Sequence, residues 1–226
     1  MSPAIEDRLP LRRLRHWAET RPDAICLSQP LADGGCHDFT WAEAFDEVRR
    51  MAAHLQAASQ AGGWEPGSRI ALLARNSAWW FLADYAIWMA GHVSVPIYPS
   101  LTGDSVRYIV EHSEARALFL GKLDSSDEAA MRSGIPAGLP IICLPLASGP
   151  MRSDGSEREW SAIVATNAPL ARWSERCIDE LATIIYTSGT TGTPKGVMHS
   201  FESLCAASGM LSQVYGTGVD DRLISY

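Results

Sequence analysis

Residues 69–98 of this 226-residue sequence read RIALLARNSAWWFLADYAIWMAGHVSVPIY. Two short apolar runs, Ile70–Ala74 and Val93–Tyr98, flank a longer apolar run that Asn76 or Ser77 can cap. This pattern predicts a strand, a helix and a second strand. Wholly apolar strands separated by helices are typical of a parallel sheet that is buried on both faces.

The alternation of strand and helix continues toward the C-terminus. It predicts a helix at Asp104–His112 and strands at Ala117–Leu120, Pro140–Leu144, Leu181–Thr187 and Val197–Met198. Capping boxes at Ser125–Glu128 and Ser156–Glu159 predict two more helix starts, and Ser200 predicts a helix that runs to about Tyr215. We therefore expect an α/β fold, with a doubly wound, mainly parallel sheet and helices on both faces.

The segment before this layer has a different pattern. It predicts a helix at Leu9–Thr20, a hairpin of strands Ala24–Ser28 and Cys36–Thr40, and a long helix that a Thr40–Glu43 capping box opens. We divide the chain, as parts of one larger domain, into a helical and hairpin lead-in (1–68), an α/β layer (69–146), a loop and helix (147–180), and a strand, loop and helix (181–226). Asp220–Tyr226 is typical of a turn that enters a strand, which indicates a fragment of a longer protein.

Composition narrows the class of protein. The sequence has 19 basic and 26 acidic residues, a formal net charge of −7, which argues against nonspecific binding to nucleic acid. The apolar stretch Ala78–Gly91 contains Asp84 and is shorter than a membrane-spanning helix requires, so we expect no transmembrane segment. The five cysteines form no Cys-x-x-Cys pair, which favours reduced thiols in a cytoplasmic protein and no metal site.

The loop after the predicted strand Leu181–Thr187 has an unusual composition. Its residues are Ser188, Gly189, Thr190, Thr191, Gly192, Thr193, Pro194, Lys195 and Gly196. Glycines let backbone N–H groups approach an anion, hydroxyls add donors, and the lysine adds a positive charge. A plain hairpin linker is the alternative, but the lysine after Gly-Thr-Pro favours a site for a polyphosphate. The spacing fits neither a Walker loop nor a dinucleotide-binding loop.

Tyr186–Gly196 resembles the motif of the adenylate-forming enzymes, which include acyl-CoA synthetases, luciferases and the adenylation domains of peptide synthetases. The segments 83–102, 107–115 and 121–124 extend the likeness, and together they look most like bacterial long-chain fatty acid–CoA ligases. Relatives often follow the loop with Thr-His-x-Asn, whereas this chain has Ser200-Phe201-Glu202-Ser203, so His199 receives no role.

The resemblance implies a two-step ligase that uses ATP, with Mg²⁺ bound through the ATP, and coenzyme A as co-substrate. A fatty acid carboxylate attacks the α-phosphate, and coenzyme A then displaces AMP. The resemblance assigns contacts with the triphosphate to Thr187, Ser188, Gly189, Thr190, Thr191, Gly192, Thr193, Lys195 and Gly196, with Lys195 in a supporting catalytic role.

The family's adenine, ribose, acyl and coenzyme A sites lie after Tyr226, so we expect this fragment alone to be inactive. Two alternatives stay open: an adenylating enzyme that delivers its acyl group to a carrier protein or a reductase, and a noncatalytic phosphate-binding module. The sequence leaves open the acyl chain length, the oligomeric state and any peripheral contact with a membrane.

Overall fold

The computed structural model describes residues 5–123, 128–149, 155–173, 175–188 and 194–225. Within these residues a 7-stranded sheet carries helices on both faces. The α/β class, with its doubly wound and mainly parallel sheet, is therefore confirmed.

The elements follow one another along the described residues. The helices are α1 (Pro10–Thr20), α2 (Trp41–Gly62), α3 (Ala78–Met89), α4 (Gly103–His112), α5 (Glu128–Gly134), α6 (Trp160–Thr166) and α7 (Phe201–Tyr215), and a 3₁₀ turn at Ile5–Arg8 precedes them. The strands are β1 (Ile25–Pro30), β2 (Cys36–Thr40), β3 (Arg69–Leu73), β4 (Val93–Ile97), β5 (Ala117–Leu120), β6 (Ile141–Cys143), β7 (Glu157–Glu159), β8 (Leu181–Ser188) and β9 (Pro194–Ser200).

The large sheet has the strand order β7-β6-β5-β3-β4-β8-β9, and β1 and β2 form a separate antiparallel pair. The six strands β7, β6, β5, β3, β4 and β8 are parallel to their neighbours, and β9 is antiparallel to β8. The chain passes from β3 to β4 on one side and then returns to β5 on the other side of β3. The carboxyl ends of β3, β4 and β8 therefore lie at the same edge, where open α/β sheets usually bind their ligands.

Local sequence sets most helix boundaries. The Thr40–Glu43 capping box forms as predicted, and Gly63 ends α2 with a left-handed backbone, φ 62°. Of the two candidate caps for α3, Ser77 is the one that accepts a hydrogen bond from a backbone N–H. Ser200 caps α7 in the same way. These side chains satisfy backbone donors that the first helical turn leaves free.

The sheet has a hydrophobic core on each face. Helices α1, α2, α3, α6 and α7 contribute to one core, and α4 and α5 contribute to the other. Strand β3 supplies both, because Ile70 and Leu72 face the first core while Ala71 and Leu73 face the second. This alternation is the period of two that a strand imposes on its side chains.

The predicted capping box at Ser156–Glu159 is wrong. Residues 157–159 form β7, which extends the sheet beside β6, and α6 begins only at Trp160. Glu159 precedes α6 without a capping hydrogen bond from its side chain. The backbone groups on the free side of β6 need partners, and pairing with β7 provides them.

Two further predictions differ at the C-terminal side. The predicted strand within Asp220–Tyr226 is wrong, since residues 221–225 have no regular secondary structure. Strand β9 is longer than the predicted Val197–Met198, because it pairs with β8 along its whole length. The capping residues predicted at Ser125–Glu128 lie, apart from Glu128 itself, outside the described residues.

No helix among the described residues is both long enough and apolar enough to cross a membrane.

Candidate phosphate-binding site

The predicted phosphate loop connects β8 to β9 at the carboxyl edge of the sheet. Strand β8 lies parallel to β4, with Ser94 opposite Thr183, and β9 returns antiparallel beside it. Strand β8 thus ends, and β9 begins, at the edge where the parallel strands end. Of the predicted site residues, Thr187, Ser188, Lys195 and Gly196 belong to the described strands, whereas Gly189, Thr190, Thr191, Gly192 and Thr193 lie outside the described residues.

The two strands that carry the loop place its polar residues side by side. Thr187 pairs directly with Lys195, and both side chains are exposed. Directly opposed residues in an antiparallel pair share a face, with Cβ atoms about 5 Å apart. A hydroxyl donor and an ammonium group therefore lie on one surface beside the mouth of the loop. Such a pair of donors suits an anion.

The opposite face of the same two strands is closed by Tyr186 and Gly196, which also pair directly. Tyr186 is buried, and a Cβ added at Gly196 would lie 3.2 Å from Cζ of Tyr186 and 2.9 Å from Cγ2 of Ile184. The tyrosine ring thus covers the backbone of residue 196. A side chain at residue 196 would require Ile184 to shift and the tyrosine ring to move by a few tenths of an ångström.

The Tyr186 hydroxyl is hydrogen-bonded to Nδ1 of His112, at the end of α4, over 2.7 Å. Burial raises the pKa of Tyr186, and the neighbouring Tyr108 raises it further, while Arg69 acts in the opposite direction. The phenol therefore keeps its proton at neutral pH.

The charge available for ligand binding at this site comes from Lys195. The described residues contain no group of three or more His, Cys, Asp or Glu side chains that could hold a metal ion. The described arms of the loop offer a hydroxyl and a cation, a donor set that fits the oxygens of a polyphosphate.

The structure places His199 away from the loop end of the hairpin. It lies in β9, half-buried, opposite Thr183, near the beginning of β8. The pairing therefore separates His199 from Thr187 and Lys195, in keeping with its exclusion from the predicted site.

Sequence reasoning missed the contact between His112 and Tyr186. Tyr186 begins the quoted motif and His112 ends a predicted helix, so the sequence patterns include each residue but do not relate the two. Their 74-residue separation hides the contact, because α4 crosses to the face of the sheet on which Tyr186 projects. The sequence signal that could have indicated this contact is a polar residue, His112, at the end of an amphipathic helix.

The α/β fold and the sequence of the loop are those expected of an adenylate-forming enzyme. A model of the family described as AMP-binding enzyme matches residues 14–226. The chain belongs to this family, and the resemblance drawn from the loop motif is confirmed.

Individual relatives cover several kinds of enzyme. The chain is 34% identical over 175 residues to a long-chain-fatty-acid–CoA ligase of Mycobacterium bovis, a match that covers 77% of this chain and 28% of that ligase. It is 31% identical over 208 residues to N-(5-amino-5-carboxypentanoyl)-L-cysteinyl-D-valine synthase of Penicillium rubens, covering 92% of this chain and 5% of that synthase. The chain thus spans only a minor part of the length of these relatives.

A structural neighbour shows the same fold. The crystal structure of an acyl-CoA synthetase of Brucella canis matches with a TM-score of 0.72 at 18% identity, over 97% of this chain and 37% of that chain.

Proposed function

We propose that this chain contributes the triphosphate-binding part of an ATP-dependent long-chain fatty acid–CoA ligase. The observation that carries the proposal is the polar loop between β8 and β9, with Thr187 opposite Lys195 at its base. The fatty acid and coenzyme A as substrates rest on the likeness to long-chain ligases.

In the proposed reaction, an oxygen of the fatty acid carboxylate attacks the α-phosphorus of ATP, and the bond to the bridging oxygen of pyrophosphate breaks. The sulfur of coenzyme A then forms the thioester, and AMP leaves. Negative charge accumulates on the departing pyrophosphate in the first step, so donors fixed around it lower the barrier.

This chain's part in that step is electrostatic. Lys195 contributes a positive charge and Thr187 a hydroxyl from the two arms of the loop. We assign further backbone and hydroxyl contacts to Ser188, Gly189, Thr190, Thr191, Gly192, Thr193 and Gly196. Mg²⁺ would arrive with ATP and neutralise phosphate charge, and this chain's residues would hold the phosphate oxygens around it.

A second candidate delivers the acyl group to a carrier protein or a reductase instead of coenzyme A. The similarity to N-(5-amino-5-carboxypentanoyl)-L-cysteinyl-D-valine synthase supports this second candidate. Both candidates share the adenylation step, so the phosphate loop has the same role in each. A third candidate, a noncatalytic phosphate-binding module, would bind phosphate without forming an adenylate.

The test uses the complete enzyme that the proposal requires, supplied with ATP, Mg²⁺ and a series of fatty acids. We expect fatty-acid-dependent exchange of labelled pyrophosphate into ATP, followed by acyl-CoA formation when coenzyme A is added. Exchange without acyl-CoA would favour the carrier or reductase. Absence of exchange with every fatty acid would contradict the proposal, and the 226-residue chain by itself should give none.

A further inference from the structure

Tyr186 contacts both arms of the candidate phosphate loop. Its backbone directly precedes Thr187 on β8, and its ring lies over Gly196, which directly follows Lys195 on β9. A shift of this ring would therefore move both arms. The arms carry the exposed polar groups, whereas the ring is on the buried face between them.

The position of the ring is fixed from α4. His112 Nδ1 and the Tyr186 hydroxyl are 2.7 Å apart, and the two rings meet edge to face with centroids 5.8 Å apart. Tyr108, one turn earlier in α4, stacks on His112 with centroids 5.2 Å apart. The imidazole is exposed on its outer side, but the stacked ring and the hydroxyl restrict its orientation.

Helix α4 is held in place by buried apolar side chains. Its residues Val106, Ile109 and Val110 are buried against β3, β4 and β5, and they share one hydrophobic core with Tyr186. Side chains in such a core are closely packed and occupy defined rotamers. The hydrogen bond thus links a fixed helix to the strand from which the loop begins.

We infer that His112 and Tyr186 are positioning residues for the phosphate loop: their hydrogen bond holds Thr187 and Lys195 at the spacing that binds the pyrophosphate portion of ATP. The inference rests on the proposed function. Neither side chain touches substrate, and both act through the backbone of the two arms.

The variants Tyr186→Phe and His112→Phe remove the hydrogen bond and keep an aromatic ring at each position. In the complete enzyme, we expect each to raise the KM for ATP about fourfold in pyrophosphate exchange, as the loss of one hydrogen bond predicts. The double variant should also show about a fourfold increase, because either change removes the same contact. Independent residues would instead give about sixteenfold.

A second readout separates positioning from general damage. Transfer of the acyl group from preformed acyl-adenylate to coenzyme A does not involve pyrophosphate, so its rate should be unchanged in all three variants. His112→Asn keeps a polar group near the position of Nδ1 and should restore most of the ATP affinity. Tyr215→Phe, at an exposed tyrosine on α7, is the matched control for loss of a phenol hydroxyl.

The outcomes are distinct. Equal losses in both half-reactions, or an unchanged KM for ATP in Tyr186→Phe, would overturn the positioning role while the unmodified enzyme still shows exchange. Absence of exchange in the unmodified enzyme would overturn the proposed function and this inference with it.

Discussion

The two edge strands of the large sheet, β7 and β9, differ in how their polar residues are buried. At the β7 edge, the side chain of Glu157 has no exposed area and forms an ion pair with Arg132, N···O 3.4 Å. At the β9 edge, Val197 and Met198 are 42% and 71% exposed, and Thr187 and Lys195 lie open on the adjoining surface. At the β7 edge the buried Glu157 is paired with Arg132, whereas at the β9 edge Lys195 and Thr187 are exposed and available to a ligand.

Two buried acidic residues, Glu157 and Asp84, also differ in their surroundings. Glu157 has Arg132 as a partner, and Cys143 Sγ also donates to it at 3.6 Å. Asp84, on α3 above β4, has its Oδ1 buried with no hydrogen-bond partner among the described residues. Burial without a nearby cation favours the protonated form of Asp84.

The largest expected effect is at the closed edge. Arg132→Met removes a cation that pairs with both Glu128, at 3.0 Å, and the buried Glu157, at 3.4 Å. We expect the free energy of unfolding to fall by about 3 kcal/mol, measured by urea denaturation. Arg15→Met, which breaks the exposed pair with Glu175, is the control and should cost less than about 1 kcal/mol.

Glu157→Gln added to Arg132→Met should recover part of the stability, since it removes a buried charge that has lost its contact with Arg132. Equal costs for Arg132→Met and Arg15→Met would show that burial of the Arg132–Glu157 pair adds nothing to its contribution to stability.

The next effect concerns function at the open edge. In the complete enzyme, Lys195→Ala removes a charge-assisted contact of about 1.5–3 kcal/mol, which corresponds to a rise in the KM for ATP of roughly 10- to 150-fold. Its stability should change little, because Lys195 is exposed. Lys122→Ala, at the chain's other lysine, is the matched control. An unchanged KM for ATP in Lys195→Ala would show that Lys195 at the β9 edge does not bind the triphosphate.

The last prediction tests the buried acid Asp84 through pH. Burial raises the pKa of Asp84 from 3.8 to about 7, and the nearby Ser94 hydroxyl only partly offsets this. Between about pH 4 and pH 7 the native state therefore holds a proton that the unfolded state releases. The resulting stabilisation is present below that range and is lost as the pH rises through it.

Asp84→Asn stays uncharged at every pH, so its stability relative to the unmodified chain should increase as the pH rises from about 4 to 8. Burial also lowers the pKa of His92 to about 4, which acts in the opposite sense over part of the range. The difference between variant and unmodified chain, obtained from urea denaturation, isolates Asp84. Asp23→Asn, at an exposed carboxylate, is the control. A difference that does not vary with pH would contradict the assignment.

The helix starts show how much local sequence can predict. Thr40, Ser77 and Ser200 each cap a helix through a hydrogen bond within three residues, so no distant contact is needed. Ser156–Glu159 has the same pattern and yet precedes a strand, because β6 offers free backbone partners that local sequence does not reveal. The loop motif likewise indicated the family, while the contacts assigned to its central residues stay predictions.

Sequence alone determined the alternation of buried strands with capped helices, and it determined the cluster of glycines, hydroxyls and a lysine after β8. Both are short-range patterns, set by side-chain periodicity and backbone freedom. The tertiary structure alone decided that β8 lies beside β4, that β9 turns back to set Lys195 against Thr187, and that His112 meets Tyr186. Those contacts join residues far apart in the chain, and they form only where strand order and close packing bring the segments together.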